Sequence, residues 1–153
     1  YTVSFNASGG ENTMTPQSFT YGVTQPLTAN AFAKTGYRFD GWATSPGGTH
    51  VYNDKQEVSD LTSVDGGEVK LYAIWVPNTY SVVFNANGGQ NEMTPQSFTY
   101  GVAQSLKANT FTKTGYTFAG WAISPTGNKE YNNQQQVSNL TSVHNGTYNL
   151  YAV

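Results

Sequence analysis

Cysteine is missing altogether. Its absence excludes disulfides, thiolate metal sites and a cysteine nucleophile together, while leaving the compartment open. Charge is scarce as well: 10% of the 153 residues are charged, with seven Lys and Arg against nine Asp and Glu, for a net charge of −2. Nucleic-acid binders gather Lys and Arg into a stripe that displaces counterions from phosphates; no such stripe is present, so nucleic acid is not an expected partner. No apolar run reaches the roughly 18 residues of a membrane span. The opening residues lack a signal-peptide pattern, although a leader already removed would leave no trace. Thr, Ser, Asn, Gln and Gly stand where charge would be, a polar surface common in secreted bacterial proteins.

What the chain does contain, it contains twice. Shifted by 79 positions, Tyr1 falls on Tyr80, Phe5 on Phe84 and Trp42 on Trp121. The register runs without a gap to Ile74 over Val153, with 47 of the 74 aligned positions identical. That period exceeds the roughly 20–50 residues of a solenoid unit, so each copy is expected to be a small domain. The expected boundaries are 1–75 and 80–153, joined by a short stiff linker, 76–79, in which Pro77 fixes one φ. Domains this small need an aromatic-rich core, and the 11 Tyr, 8 Phe and 3 Trp supply one. The chain stops one residue short of a counterpart to Trp75, which reads as a C-terminally truncated second copy cut from a longer protein.

Within one copy, Tyr1–Phe5 alternates as a half-buried strand with Tyr1, Val3 and Phe5 on one face. Asn6–Asn12 holds Gly9-Gly10 and reads as a turn. Gln17–Tyr21 is a second strand, expected to form a hairpin with the first. Leu27, Ala31 and Lys34 fall at helical spacing, so one helical turn is possible there, a loop being the alternative. Tyr37–Trp42 alternates until Gly41 shifts the phase, the mark of a bulge. Val69–Trp75 is apolar on both faces and is expected to lie centrally in the sheet.

Three ordered motifs carry a resemblance. Tyr-x-Val-x-Phe-Asn-Ala-x-Gly-Gly, then Gly-Tyr-x-Phe-x-Gly-Trp, then Leu-Tyr-Ala-x-Trp resemble the Listeria–Bacteroides repeat, related to the B-repeat of bacterial internalins. The resemblance spans Tyr1–Trp75 and Tyr80–Val153. It implies a tandem array in a secreted or wall-anchored bacterial protein, often beside leucine-rich repeats. It also implies a compact β-grasp, ubiquitin-like fold. The residues themselves indicate a mostly-β chain, α+β at most, so the combined expectation is two small β-grasp domains of reduced helix content.

Catalysis would require an acid, base or nucleophile kept in both copies. Asp40 becomes Ala119, Glu57 becomes Gln136, Asp65 becomes His144, Glu68 becomes Thr147 and His50 becomes Lys129. Copy one carries four basic and seven acidic residues, copy two three and two. No acid pair suited to glycoside hydrolysis is shared, and copy two has no aspartate for a Ser/His/Asp set. No catalytic residue, cofactor or metal is therefore expected. Lys34 and Lys113 alone preserve a charge; a Lys–Asn cross-link would lack a shared acid to catalyse it, and a surface lysine beside a Thr-Gly turn is the expected role. The Asn- and Gly-rich loops lack the carboxylates calcium requires. Asn6-Ala-Ser8, Asn139-Leu-Thr141 and Asn145-Gly-Thr147 match a glycosylation pattern but read as coincidence in so Asn- and Thr-rich a chain.

The remaining candidates are aromatic. Tyr37, Phe39 and Trp42, with Tyr116, Phe118 and Trp121, form either core or a stacking platform for sugar rings. The expected function is a non-catalytic stalk or spacer with a possible adhesion or protein-interaction surface, extracellular or cell-wall-attached. Expected partners are neighbouring repeats and a host-surface protein or glycan. The alternative is a carbohydrate-binding module in which Tyr37, Trp42, Tyr116 and Trp121 contact the ligand.

Overall fold

Period-two alternation places Val3 inward and Thr2 outward, and the strand it predicts forms at Thr2–Asn6 (β1). A computed structural model describes residues 1–153 as two compact units, Tyr1–Val76 and Pro77–Val153. Unit 1 continues with β2 (Gln17–Ser18), β3 (Gln25–Pro26), β4 (Tyr37–Ala43), β5 (Glu57–Val58) and β6 (Glu68–Pro77). Its main sheet has the order β2-β1-β6-β4, and β3 pairs with β5. β1 and β2 are antiparallel, with Thr2 opposite Ser18. β1 and β6 are parallel, with Val3 opposite Val69 and Phe5 opposite Leu71. The apolar Val69–Trp75 run thus lies inside the sheet, between β1 and β4.

Unit 2 repeats this arrangement with β7 (Thr79–Asn85), β8 (Gln96–Thr99), β9 (Gln104–Ser105), β10 (Trp121–Ala122), β11 (Gln136–Val137) and β12 (Gly146–Ala152). Its main sheet runs β10-β12-β7-β8, again with first and last strands parallel, and β11 pairs with β9. At the entry to this unit, Asn78 is buried and its side chain donates to the carbonyl of Ser142 at 2.9 Å.

The chain is all-β, without a helix. Leu27–Lys34 runs instead as an irregular crossing segment. Gln17 accepts from the Thr28 N–H, and Asn30 brackets Phe32 by accepting from its N–H and donating to its carbonyl. These side-chain bonds satisfy the backbone locally and compete with a helical turn. Leu27 and Phe32 both point into the core. The second strand is shorter in unit 1 than Gln17–Tyr21: regular pairing covers Gln17 and Ser18, and Phe19 continues it by exchanging hydrogen bonds with Tyr1, its N–H donating at 2.8 Å and its carbonyl accepting at 3.1 Å.

Each core is a single cluster. Val3, Leu27, Trp42 and Leu71 are fully buried in unit 1, as are Val82, Leu106, Trp121 and Leu150 in unit 2. Gly41 decides where Trp42 goes. Its φ of +114° breaks the alternation, and Trp42 comes round to the side of Phe39, their rings 4.9 Å apart. A Cβ at Gly41 would stand 2.6 Å from the Tyr52 carbonyl oxygen, which accepts from the Trp42 N–H. Gly120 repeats the geometry beside Trp121, with φ +143°.

Candidate functional site

Trp42 and Trp121 have no exposed surface. Phe5, Phe32 and Phe39 surround Trp42 at centroid distances of 5.0, 6.1 and 4.9 Å. Phe84, Phe111 and Phe118 surround Trp121 at 5.0, 6.0 and 4.9 Å. Neither indole can offer a face to a ligand, so the stacking platform loses both of its tryptophans to the core. The Nε1 of each is buried without a hydrogen-bond partner, a cost of about 1–3 kcal/mol that the ring packing offsets.

The tyrosines are accessible. Tyr37 is half-buried and Tyr116 is 71% exposed. The one charge shared by the copies lies over them: the Lys34 Nζ sits 4.4 Å from the Tyr37 ring centroid and the Lys113 Nζ 4.5 Å from that of Tyr116. This cation–π contact accounts for a lysine held in both copies, and at exposed sites it contributes about 0.5–1 kcal/mol. Asn30 and Asn109, shared by the copies, direct both side-chain functions to the backbone of Phe32 and Phe111.

The acids of unit 1 have a visible task. Asp60 accepts from the Gly22 N–H at 2.5 Å, and its counterpart Asn139 accepts from Gly101 at 2.6 Å. Asp54 accepts from the Asn30 N–H at 2.9 Å, and Asn133 does the same for Asn109. A neutral amide oxygen replaces the carboxylate at both sites, so the work is hydrogen-bond acceptance, not charge or proton transfer. Glu68, replaced by Thr147, accepts from the Ser4 hydroxyl at 2.8 Å at the surface. No group of three or more His, Cys, Asp or Glu side chains is gathered in a way that could hold a metal ion.

Sequence reasoning missed the shared amides. Gln17 and Gln96 each donate to a carbonyl nine residues on, Pro26 or Ser105, and accept from the backbone N–H of Thr28 or Lys107. Gln25 and Gln104 donate back to Ser18 and Ser97. The signal was available in Met-Thr-Pro-Gln-Ser-Phe-Thr-Tyr-Gly-Val, identical at 14–23 and 93–102. One further titrating group stands out in unit 2. Burial first, then a hydrogen bond with Tyr148, pushes the Tyr131 phenol up to about 12.

Unit 2 has a groove of about 470 Å³ flanked by Ala86, Gly89, Lys113, Tyr116 and Phe118. The corresponding place in unit 1 is occupied. Trp75 lies there, its Nε1 donating to the Ala7 carbonyl at 2.7 Å and its ring edge-on to Phe39 at 5.8 Å.

Two proteins of Evansella cellulosilytica are similar to the chain. One, named "Putative Gly-rich membrane protein", is 30% identical over 65% of the chain and 12% of its own length. The other, named "Putative membrane protein", is 32% identical over 79% of the chain and 17% of its own length. The chain therefore spans less than a fifth of these relatives. No helix in it is long and apolar enough to cross a membrane. No solved structure matches it. A family model matches residues 1–74 and again 80–153, and on that double match the chain belongs to the Listeria–Bacteroides repeat domain family, one typical of bacterial surface proteins.

Proposed function

We propose that this repeat pair is a non-catalytic stalk or spacer of a secreted or cell-wall-attached bacterial surface protein. In this reading it holds other parts of that protein away from the cell, residues 76–79 form a short joint between the repeats, and adhesion is secondary. One observation carries the reading: acids of one repeat are amides in the other at sites where both only accept a backbone N–H. An array selected for chemistry would keep its proton carriers. An array selected for a folded, repeatable unit needs only the hydrogen bonds.

We read the sheet of each unit as a β-grasp sheet. The first strand lies parallel to the last at its centre, with the second strand hairpinned outside the first. The crossing helix of that fold is replaced by the irregular Leu27–Lys34 segment and its unit 2 counterpart. Binding of a host protein or glycan is the second reading, and it retains support only at Tyr37 and Tyr116, with their lysines.

The test displays a reporter domain on a bacterial surface above none, two or four of these repeats. Capture of the reporter by a bulky bead-bound antibody should rise with repeat number. It should be indifferent to Tyr37→Ala and Tyr116→Ala. Capture independent of repeat number would refute the stalk. Cell adhesion that requires Tyr116 would favour the second reading.

A further inference from the structure

The turn after the first strand differs between the units in one side chain. Ser8 and Asn87 occupy equivalent positions in the same left-handed conformation, with φ of 51° and 53°. The Asn87 amide nitrogen donates to two carbonyls, that of Pro125 at 2.8 Å and that of Ala152 at 3.0 Å. It thereby ties the turn to the loop after β10 and to the end of β12. A serine hydroxyl holds one proton on a shorter stem and makes neither bond, so the equivalent carbonyls of Pro46 and Ala73 lack this donor. Unit 1 has a pocket of about 350 Å³ at this place, within the roughly 300–1,000 Å³ that small-molecule sites occupy.

Its walls include Ser8, Lys34, Ser45, Gly48, Tyr72 and Trp75. Lys34 is the one cation of the pocket, and no acidic residue borders it. The Lys34 ammonium rests over the Tyr37 ring and would stand 3.7 Å from a Cβ at Gly9, so the glycine beside Ser8 leaves its approach open. The Ser8 and Ser45 hydroxyls can each donate or accept a hydrogen bond. Trp75 is half-buried, the one tryptophan of the three with exposed surface. Its indole N–H is committed to the Ala7 carbonyl, so what it offers a ligand is carbon surface.

We propose that unit 1 carries a binding site for an acidic sugar, a pyranose ring bearing a carboxylate. The carboxylate takes the Lys34 ammonium in a charge-assisted hydrogen bond. Ring hydroxyls donate to the Pro46 and Ala73 carbonyls, as the Asn87 amide does to their counterparts in unit 2, and a C–H face of the ring lies against the Trp75 indole. A neutral sugar would leave the cation unanswered. A simple carboxylate would leave the carbonyls and the indole unused. The site departs from the tyrosine platform in using the Lys34 ammonium and the Trp75 indole, and it rests on no part of the stalk reading.

The test titrates the 153-residue chain with methyl glucuronide, methyl glucoside and acetate, following backbone amide resonances by NMR and tryptophan fluorescence. Methyl glucuronide should give saturable shifts at 8–9, 45–48 and 72–75 and change the emission of Trp75. Methyl glucoside and acetate should each bind at least about tenfold more weakly, since one lacks the charge and the other the ring. In Lys34→Gln the preference for glucuronide over glucoside should disappear, an effect that a general loosening of the fold would not produce. Ser8→Asn places in unit 1 the residue that unit 2 already accommodates at the same φ, so it should fold and lose the glucuronide response. No saturation by about 10 mM, shifts away from the pocket, or full binding by Ser8→Asn would overturn the proposal. So would acetate or glucoside binding as tightly as glucuronide, or a preference for glucuronide that survives Lys34→Gln.

Discussion

Gly41→Ala tests whether the bulge places the core tryptophan. Two costs apply. A non-glycine residue at positive φ costs about 1–2 kcal/mol, partly offset by about 0.4–1 kcal/mol because alanine restricts the unfolded chain. The second cost is local: the new Cβ would stand 2.6 Å from the Tyr52 carbonyl and 2.4 Å from the His50 ring. His50 is exposed and can swing away. The Tyr52 carbonyl cannot, because it accepts from Trp42 at 2.8 Å while the Tyr52 and Val51 N–H groups donate to the Trp42 carbonyl. Relieving the collision breaks this exchange beside a buried residue, adding about 1–3 kcal/mol. Gly22→Ala is the control, since Gly22 also has positive φ, +84°, with nothing within 4 Å of a Cβ. Urea unfolding followed by tryptophan fluorescence should give a loss of about 0.5–1.5 kcal/mol for Gly22→Ala and about 2–4 kcal/mol for Gly41→Ala. Near-UV circular dichroism should lose intensity only in the latter. Equal losses within about 0.5 kcal/mol would refute the claim that the collision, and not the dihedral, holds Trp42 in place.

Asp60→Asn and Asp54→Asn should each change stability by less than about 0.5 kcal/mol, since the acceptor survives, whereas Asp60→Ala should cost about 1 kcal/mol by orphaning the Gly22 N–H. Denaturant midpoints at neutral pH check this. Tyr131 titrates near 12 when folded and near 10 when unfolded, so the folded state holds its proton more tightly. That contribution is complete below pH 10 and fades between 10 and 12. Unit 2 of Tyr131→Phe should therefore lose less stability between pH 9.5 and 11.5 than the parent. With Trp75→Phe as background, acrylamide should quench Trp42 and Trp121 weakly, and no glycan should change the result; strong quenching relieved by a glycan would contradict their burial.

Much of the fold was legible because its signals are local. Alternation in Tyr1–Phe5 and the doubly apolar Val69–Trp75 run gave strands and the inner position of the last one. The parallel pairing of β1 with β6 was not legible, since it joins residues more than sixty positions apart and leaves no periodic trace. Leu27–Lys34 could not be decided between a helical turn and a loop, because helical spacing of three residues ignores competing side-chain bonds, here from Gln17 and Asn30. The side chosen by Trp42 was undecidable from alternation alone: a bulge glycine was visible, but the direction of its turn is a backbone angle.

The parallel centre of each sheet has a mechanical consequence. The first strand of a unit receives the chain at its start, and the last releases it at its end, side by side and pointing the same way. Tension applied through those two ends draws the strands in opposite directions along their length. The rungs between Thr2–Asn6 and Glu68–Tyr72 are then loaded together in shear, so none can be peeled open ahead of the rest. An antiparallel hairpin pulled by its ends would open one rung at a time. Force therefore meets each repeat along its most resistant direction.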